Sequence, residues 1–230
     1  MNHNLKVSKL NKLKKPLSHQ SVDWVKKHLN DPFVRKARKE GYISRAAYKL
    51  LEIQDKYKLI KNNHNIVELG SAPGGWSQVT IDLLKYGHIF AIDLLEMSFC
   101  NQNLHFVQGN FITEQEQIIK NIQEILTEDN NKIHGILSDM APSTCGDRQI
   151  NHWKIMELCH EAFEFAKNTL AHNGYFIAKI FMGGEEKEFI KELKKNFVRV
   201  DFFKPKASRQ ESTEIYIVAT GFKRRENPII

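Results

Sequence analysis

Cysteine is scarce in this chain. Only Cys100, Cys145 and Cys159 occur, their spacing matches no zinc-binding pattern, and an odd number argues against a disulfide framework, so a reducing compartment fits. No stretch contains the roughly 18 consecutive apolar residues that a membrane-crossing helix needs. The opening MNHNLKVSKLNKLKKPLSHQ lacks the apolar middle of a secretory signal; it is basic and poor in acids, as an organellar presequence or a bacterial basic tail would be. There is no internal repeat and no low-complexity tract beyond that basic arm. Acidic residues are rare at one end. The first fifty residues hold 13 Lys and Arg against Asp23, Asp31 and Glu40 alone, while the rest of the chain carries 21 bases and 24 acids.

What is present suits a folded α/β protein. With 230 residues, 41% of them apolar, the chain is long enough for one domain with a sizeable core. The net charge of +7 favours a polyanionic partner, and the positive charge sits at the N-terminus. Residues 1–20 read as a flexible basic arm. Residues 21–230 read as one domain that includes a basic helical extension, 21–60. Basic and aromatic residues interleave between Lys26 and Lys49, which suits phosphate binding better than a merely solvated tail.

The periodicity predicts a short helix over Ser21–His28, a second begun by Asp31 as cap with Pro32 in the first turn, and a third from Ser44 to Ile53 capped by Ser44. From residue 65 strands and helices alternate. Strands are expected at Asn65–Leu69, His88–Asp93, Leu104–Gln108, Ile133–Asp139, Tyr175–Ile180, Val198–Phe203 and Glu214–Thr220. Helices are expected at Trp76–Lys85, Thr113–Leu126, about Asn151–Leu170 and Glu185–Lys195. This alternation implies a mostly parallel seven-stranded sheet covered on both faces, a Rossmann-like fold. The short connection Lys204–Thr213 requires the last strand to run antiparallel.

Within that frame, Val67-Glu68-Leu69-Gly70-Ser71-Ala72-Pro73-Gly74-Gly75-Trp76 is a strand, a glycine-rich turn and a helix start, built for a nucleotide-like cofactor. Gly70 permits a tight turn, and Gly74 and Gly75 permit close approach of a ligand. A dinucleotide site would show the tighter Gly-x-Gly-x-x-Gly; Ala72 and Pro73 break it, so a loop cupping S-adenosylmethionine fits better than one for NAD. Glu68 is placed to meet a cationic amine. Asp93, ending the second strand, either accepts the ribose hydroxyls of a nucleoside or caps a helix. Asn110 is a candidate for an adenine edge or a plain turn residue. Trp76 either flanks the cofactor or packs into the sheet.

Four polar residues stand out where a core would not want them. Lys179 lies in the apolar strand Gly174-Tyr175-Phe176-Ile177-Ala178-Lys179-Ile180-Phe181 and is costly unless paired. Asp139, after the neighbouring strand, is the obvious partner. Lys49 comes from the helix before the sheet, and Glu214 opens the last strand. Either the pair is a structural ion pair, or the four form a cluster able to orient a ribose hydroxyl, with Lys179 as general base or electrostatic stabiliser.

The stretches SRAAYKL at 44–50, VELGSAPGGWSQV at 67–79, AIDLLEM at 91–97, VQGNF at 107–111, SDMAP at 138–142, GYFIAKIF at 174–181 and EIYIVATGFK at 214–223 together resemble the RrmJ/FtsJ family of ribose 2′-O-methyltransferases, from about residue 24 to 224. The resemblance implies a catalytic Lys49, Asp139, Lys179 and Glu214 tetrad, with Lys179 central. It implies S-adenosylmethionine held by Gly70, Gly74, Trp76, Asp93, Asn110 and Asp139, and no metal. It implies a uridine of the A loop in 23S ribosomal RNA as target, within the assembled 50S subunit, and a monomeric cytoplasmic enzyme without membrane contact. Lys36, Arg38, Lys39, Arg45 and Arg209 are the expected phosphate contacts, each alternatively a solvated surface charge. The chain departs from the family pattern at Asn110, usually Asp, where altered cofactor affinity is expected. It departs again at Gln210-Glu211, which makes the final loop less basic. Methylation of a tRNA anticodon loop and a non-catalytic role in ribosome assembly are the competing readings; an NAD oxidoreductase is a distant one.

Overall fold

A computed structural model describes residues 30–126, 132–142, 146–183, 186–209 and 211–224. The expected basic arm and the expected helix over Ser21–His28 lie outside them. Helix α1 (Pro32–Glu40) begins as its sequence requires. Asp31 Oδ1 accepts from Phe33 N at 2.9 Å and Val34 N at 3.4 Å, and Pro32 fills the first turn. Gly41, at φ 83°, ends it. Helix α2 (Ala47–Tyr57) starts three residues later than expected, and Ser44 is not its cap. Tight turns from Ser44, Arg45 and Ala46 carbonyls lead into the helix, and Ser44 Oγ accepts from Ala46 N at 3.3 Å.

The remaining elements are β1 (Ile66–Leu69), α3 (Gly75–Leu83), β2 (Ile89–Asp93), β3 (Leu104–Gln108), α4 (Gln115–Ile125), β4 (Ile133–Ser138), α5 (Arg148–Thr169), β5 (Leu170–Phe181), α6 (Glu186–Asn196), β6 (Phe197–Phe203) and β7 (Glu214–Phe222). Helix α5 begins earlier than expected because Asp147 caps it, accepting from Gln149 and Ile150. The sheet order is β3-β2-β1-β4-β5-β7-β6. All pairings are parallel except those of β7, which is antiparallel to both β5 and β6. The strand order reverses between β1 and β4, and that is where the carboxyl ends of such strands open a crevice.

Alternation along the strands divides the core. Val67, Leu69, Ile136, Phe176, Ala178, Ile217 and Ala219 face α4, α5 and α6. Ile66, Leu137, Tyr175, Ile177, Tyr216 and Val218 face α2 and α3. Lys179 and Glu214 share the parity of this second set, so the side of the sheet that carries α2 also receives them. Among the described residues no helix is long and apolar enough to cross a membrane.

The opposite edge of the sheet collects histidines. The rings of His64 and His134 stack at 4.5 Å with 4° between planes, Asn65 N donates to His134 Nδ1 at 3.0 Å, and His88 Nδ1 lies 3.0 Å from His105 Nε2. Burial first, then the positive neighbours His134 and Lys61, push His64 down to about 4. Burial likewise lowers His105 and His134. An unfolded chain takes up these protons near pH 6.5, whereas folding moves all three uptakes to lower pH, that of His64 to about 4. The unfolded state therefore binds more protons in that window, and stability falls as pH drops through it. Urea unfolding midpoints should decline from pH 6.5 to pH 4, and His64→Gln should flatten that slope; an unchanged slope in the variant would remove His64 as a source.

Candidate active site

Strand β1 delivers the chain to Gly70 at φ 75°. A Cβ there would lie 2.7 Å from the Met140 backbone, so only glycine lets the β1 and β4 exits run this close. Gly70 N and Ser71 N donate to Ile92 O at 3.0 and 3.3 Å, and Asp139 N to Leu69 O at 3.1 Å. The three strand ends are thereby tied around a cleft of about 290 Å³ lined by Gly70, Asp93, Leu95, Asn110, Ile112 and Asp139 among others. Asp93 organises this cleft: its carboxylate accepts from Ala72 N at 2.9 Å and from Leu95 N at 2.8 Å. Asn110 Oδ1 accepts from Ile112 N at 3.0 Å, while Glu114 Oε1 accepts from Asn110 N at 2.9 Å.

Glu68, Trp76 and Gly74 are each engaged within the fold. Glu68 has the parity of the α3 side and is buried under the turn, where Ser77 Oγ donates to it at 2.6 Å. Burial pushes its carboxyl up to about 8 against that bond, so it is a buried partner of Ser77 rather than a free carboxylate facing a cation. Trp76 does not line the cleft: it is buried, its Nε1–H donates to Ala46 O at 2.9 Å, and its ring lies 5.5 Å from that of Tyr216. Gly74, at φ 110°, is covered by Met97 and Phe99, whose atoms a Cβ would meet at 2.8 and 2.6 Å.

Beside the cleft the four polar residues converge. Lys179 Nζ lies 3.1 Å from Asp139 Oδ1 and donates to Asp139 O at 2.6 Å. Lys49 Nζ lies 2.8 Å from Glu214 Oε1, 2.9 Å from Oε2 and 4.0 Å from Asp139 Oδ1. Tyr216, which sequence reasoning passed over, joins the halves: its hydroxyl donates to Asp139 Oδ1 at 2.6 Å and accepts from Lys49 Nζ at 3.1 Å. The β5–β7 register sets Tyr216 directly across from Lys179, and its spacing of two from Glu214 was the signal available in the sequence. Burial by itself would raise Asp139; Lys179, Lys49 and the bonds from Tyr216 and Lys179 hold it below the ordinary carboxylate value. Burial, then Asp139 and Glu214, push the Tyr216 phenol well above its ordinary value, so it remains a donor. Behind β5, Cys159 Sγ donates to Lys179 O at 3.1 Å, and burial raises this thiol to about 12, which makes it an inert packing group.

A second hollow of about 250 Å³ opens on the far side of Lys49 and Glu214, lined also by Arg45, Ala46, Arg209 and Ser212. Arg45 is not a free surface charge: it pairs with Asp31 and donates to Ala207 O. Lys36 lies over the Tyr48 ring at 4.5 Å and 4.0 Å from Glu40. Arg38 and Lys39 are exposed on α1. Among the described residues no group of three or more His, Cys, Asp or Glu is arranged to hold a metal ion. A protonated-donor and carboxylate cluster between two hollows can hold a hydroxyl in one while its reaction partner sits in the other.

Comparisons with known proteins agree with this layout. A family model described as FtsJ-like methyltransferase matches residues 42–222. A Rickettsia felis protein named Ribosomal RNA large subunit methyltransferase E is 45% identical over 219 residues, covering 92% of this chain and 93% of its own length. The protein of that name from Wolbachia pipientis wMel is 44% identical over 194 residues, covering 84% and 96%. The crystal structure of a Plasmodium falciparum protein, described provisionally as a ribosomal RNA methyltransferase, superposes with a TM-score of 0.71 at 32% identity, over 80% of this chain and all of that one.

The Tyr216 bridge is testable by itself. Tyr216→Phe leaves Asp139 and Lys49 each short of a partner in a buried setting, and should cost about 1–3 kcal/mol of stability. Urea unfolding at pH 7 measures it; a loss near zero would show that Lys49 and Asp139 close the gap unaided.

Proposed function

This chain belongs to the FtsJ-like methyltransferase family, and from that premise we propose that it transfers a methyl group from S-adenosylmethionine to a ribose 2′-hydroxyl of ribosomal RNA. One observation carries the reading: the Lys49–Asp139–Lys179–Glu214 cluster stands between two hollows, with Asp139 lining one and Lys49 and Glu214 the other.

The first hollow fits the cofactor. Its wall alternates apolar side chains, Ile92, Leu95, Ile112 and Met140, with the polar Asp93 and Asn110, as a nucleoside requires. Bound S-adenosylmethionine would supply a methyl group activated by a cationic sulfur. Asp93, at the end of β2, would hold ribose hydroxyls through the lone pairs that its two backbone bonds leave open. Asn110 would meet the adenine edge; the usual residue there is Asp, and an amide offers both a donor and an acceptor. Asp139, kept ionised by its two lysines, favours a positive sulfonium nearby.

The second hollow would take the target ribose. Lys49 and Lys179 put positive charge where the 2′-oxygen gains negative charge as it attacks, and such pre-set charge lowers the barrier. Asp139 and Tyr216 fix both lysines, so little reorganisation is left for the reaction itself. The 2′-oxygen held beside Lys49 and Lys179 would receive the methyl group that the cofactor supplies, the electron pair of the broken carbon–sulfur bond staying on sulfur. The hydroxyl proton passes to the cluster, where the Asp139 and Glu214 carboxylates are the groups able to accept it. Only RNA offers that hydroxyl.

The relatives named as large-subunit enzymes favour ribosomal RNA over tRNA, and family resemblance narrows the target to a uridine of the 23S A loop in the assembled 50S subunit, in the cytoplasm. Labelled S-adenosylmethionine offered with unmodified 50S subunits, free ribosomal RNA and bulk tRNA should give 2′-O-methyluridine on the 50S particle. Label on tRNA alone would transfer the activity to the anticodon-loop reading. Lys179→Ala should abolish transfer, by at least about a hundredfold if its charge is worth what one oxyanion donor is worth, while calorimetry still detects cofactor binding. Full activity in that variant would sink the assignment of the cluster.

A further inference from the structure

The hollow beside Lys49 and Glu214 is walled by two guanidinium groups, from Arg45 and Arg209. Both converge on one carboxylate. Asp31 Oδ2 pairs with Arg45, and Arg209 Nε lies 4.0 Å from the same oxygen. Asp31 is 8% exposed, Arg45 15% and Arg209 32%. Asp31 Oδ1 is meanwhile occupied in capping α1. Two cations therefore share a single anionic oxygen, and the outer one sits at the limit of contact.

The other carboxylates facing this hollow do not relieve the excess. Glu214 is taken up by Lys49 and by Ser208 Oγ, which donates at 2.7 Å. Burial and then Arg209 lower the proton affinity of Arg45 by more than Glu214 and then Glu211 raise it. The segment bearing Arg209 is held in place: Glu52 accepts from Lys206 N at 2.6 Å and Ala207 N at 2.9 Å, and Arg45 donates to Ala207 O. Arg209 is thus presented on a strapped loop, one shell out from the residues proposed to receive the target ribose.

We propose that Asp31 is an internal competitor at the expected Arg45 and Arg209 phosphate contacts, a stand-in that holds Arg209 until the RNA phosphodiester adjacent to the target ribose takes its place on that guanidinium. A phosphodiester carries one negative charge and two free oxygens, which matches a pair of guanidinium groups better than one carboxylate oxygen does. Arg209, more exposed and less tightly held, turns to the phosphate; Arg45 stays on Asp31 and Ala207. Asp31 keeps the pair from being an open anion trap when no RNA is present. This rests on reading the chain as an RNA-directed methyltransferase.

Filter binding of the purified full chain to large-subunit ribosomal RNA, across a series of potassium chloride concentrations, tests it. Asp31→Asn retains a side-chain oxygen for the α1 cap but removes the competing charge; melting curves check that the variant is folded. It should bind RNA several-fold more tightly at low salt. Arg209→Gln should bind about tenfold more weakly and lower the salt slope by about one. In the double variant the Asp31→Asn gain should disappear, because its beneficiary is absent. A folded Asp31→Asn that binds RNA no better, or whose gain survives without Arg209, overturns the stand-in. If the parent chain binds and methylates RNA while both single variants behave like it, the stand-in fails and the methyltransferase reading stands. If the parent binds no RNA, both fall together.

Discussion

A lysine amine cannot be left unpartnered among the apolar residues of a central strand, and Lys179 sits on β5 between Ala178 and Ile180, both fully buried. The site follows from how that need is met. Asp139 provides a carboxylate and a carbonyl, which places the exit of β4 against β5. Asp139 in turn draws Tyr216 and Lys49, and Lys49 draws Glu214. One buried lysine thereby fixes the relation of three strands and a helix that are far apart in sequence. Removing one partner of such a group usually costs more than the pair contributes, so stability and the proposed chemistry bear on the same atoms.

The hollow at the ends of β1, β2 and β4 obeys a different constraint, closeness of backbone. Gly70 is required because the β4 exit passes at Cβ distance, and Asp93 spends both oxygens on holding the turn. The loop's residues are thus divided between shaping and binding. Gly74 and Trp76 shape it, the first under Met97 and Phe99 and the second against Ala46 and Tyr216. Trp76 also connects the turn to Ala46 at the start of α2, three residues before Lys49.

The β6–β7 connection illustrates the same economy. Glu52 from α2 receives two of its backbone N–H groups, and Arg45 reaches its Ala207 carbonyl. A loop that would otherwise depend on its own turns is held by helices that precede the sheet. Its residues Arg209 and Ser212 become walls of the hollow where the proposed target would lie.

Much of this was legible in the sequence. Alternating strands and helices determined the parallel sheet, because buried two-sided strands need crossover helices. The short Lys204–Thr213 connection determined the antiparallel end, and a lysine in an apolar strand announced a partner. Lys179 could be named because it breaks the pattern of its strand and Asp139 as its partner; Lys49 and Glu214 were legible through the motifs that carry the family resemblance. Tyr216 could not be named: a tyrosine in a strand breaks no pattern, and only the register across from Lys179 made its hydroxyl a bridge. The burial of Glu68 beneath Ser77, the turning of Trp76 into the core, and the sharing of Asp31 by two arginines were likewise decided by tertiary structure. Each depends on which face or which distant residue meets a side chain, and a linear pattern carries spacing along one chain but not the contacts between elements that folding brings together.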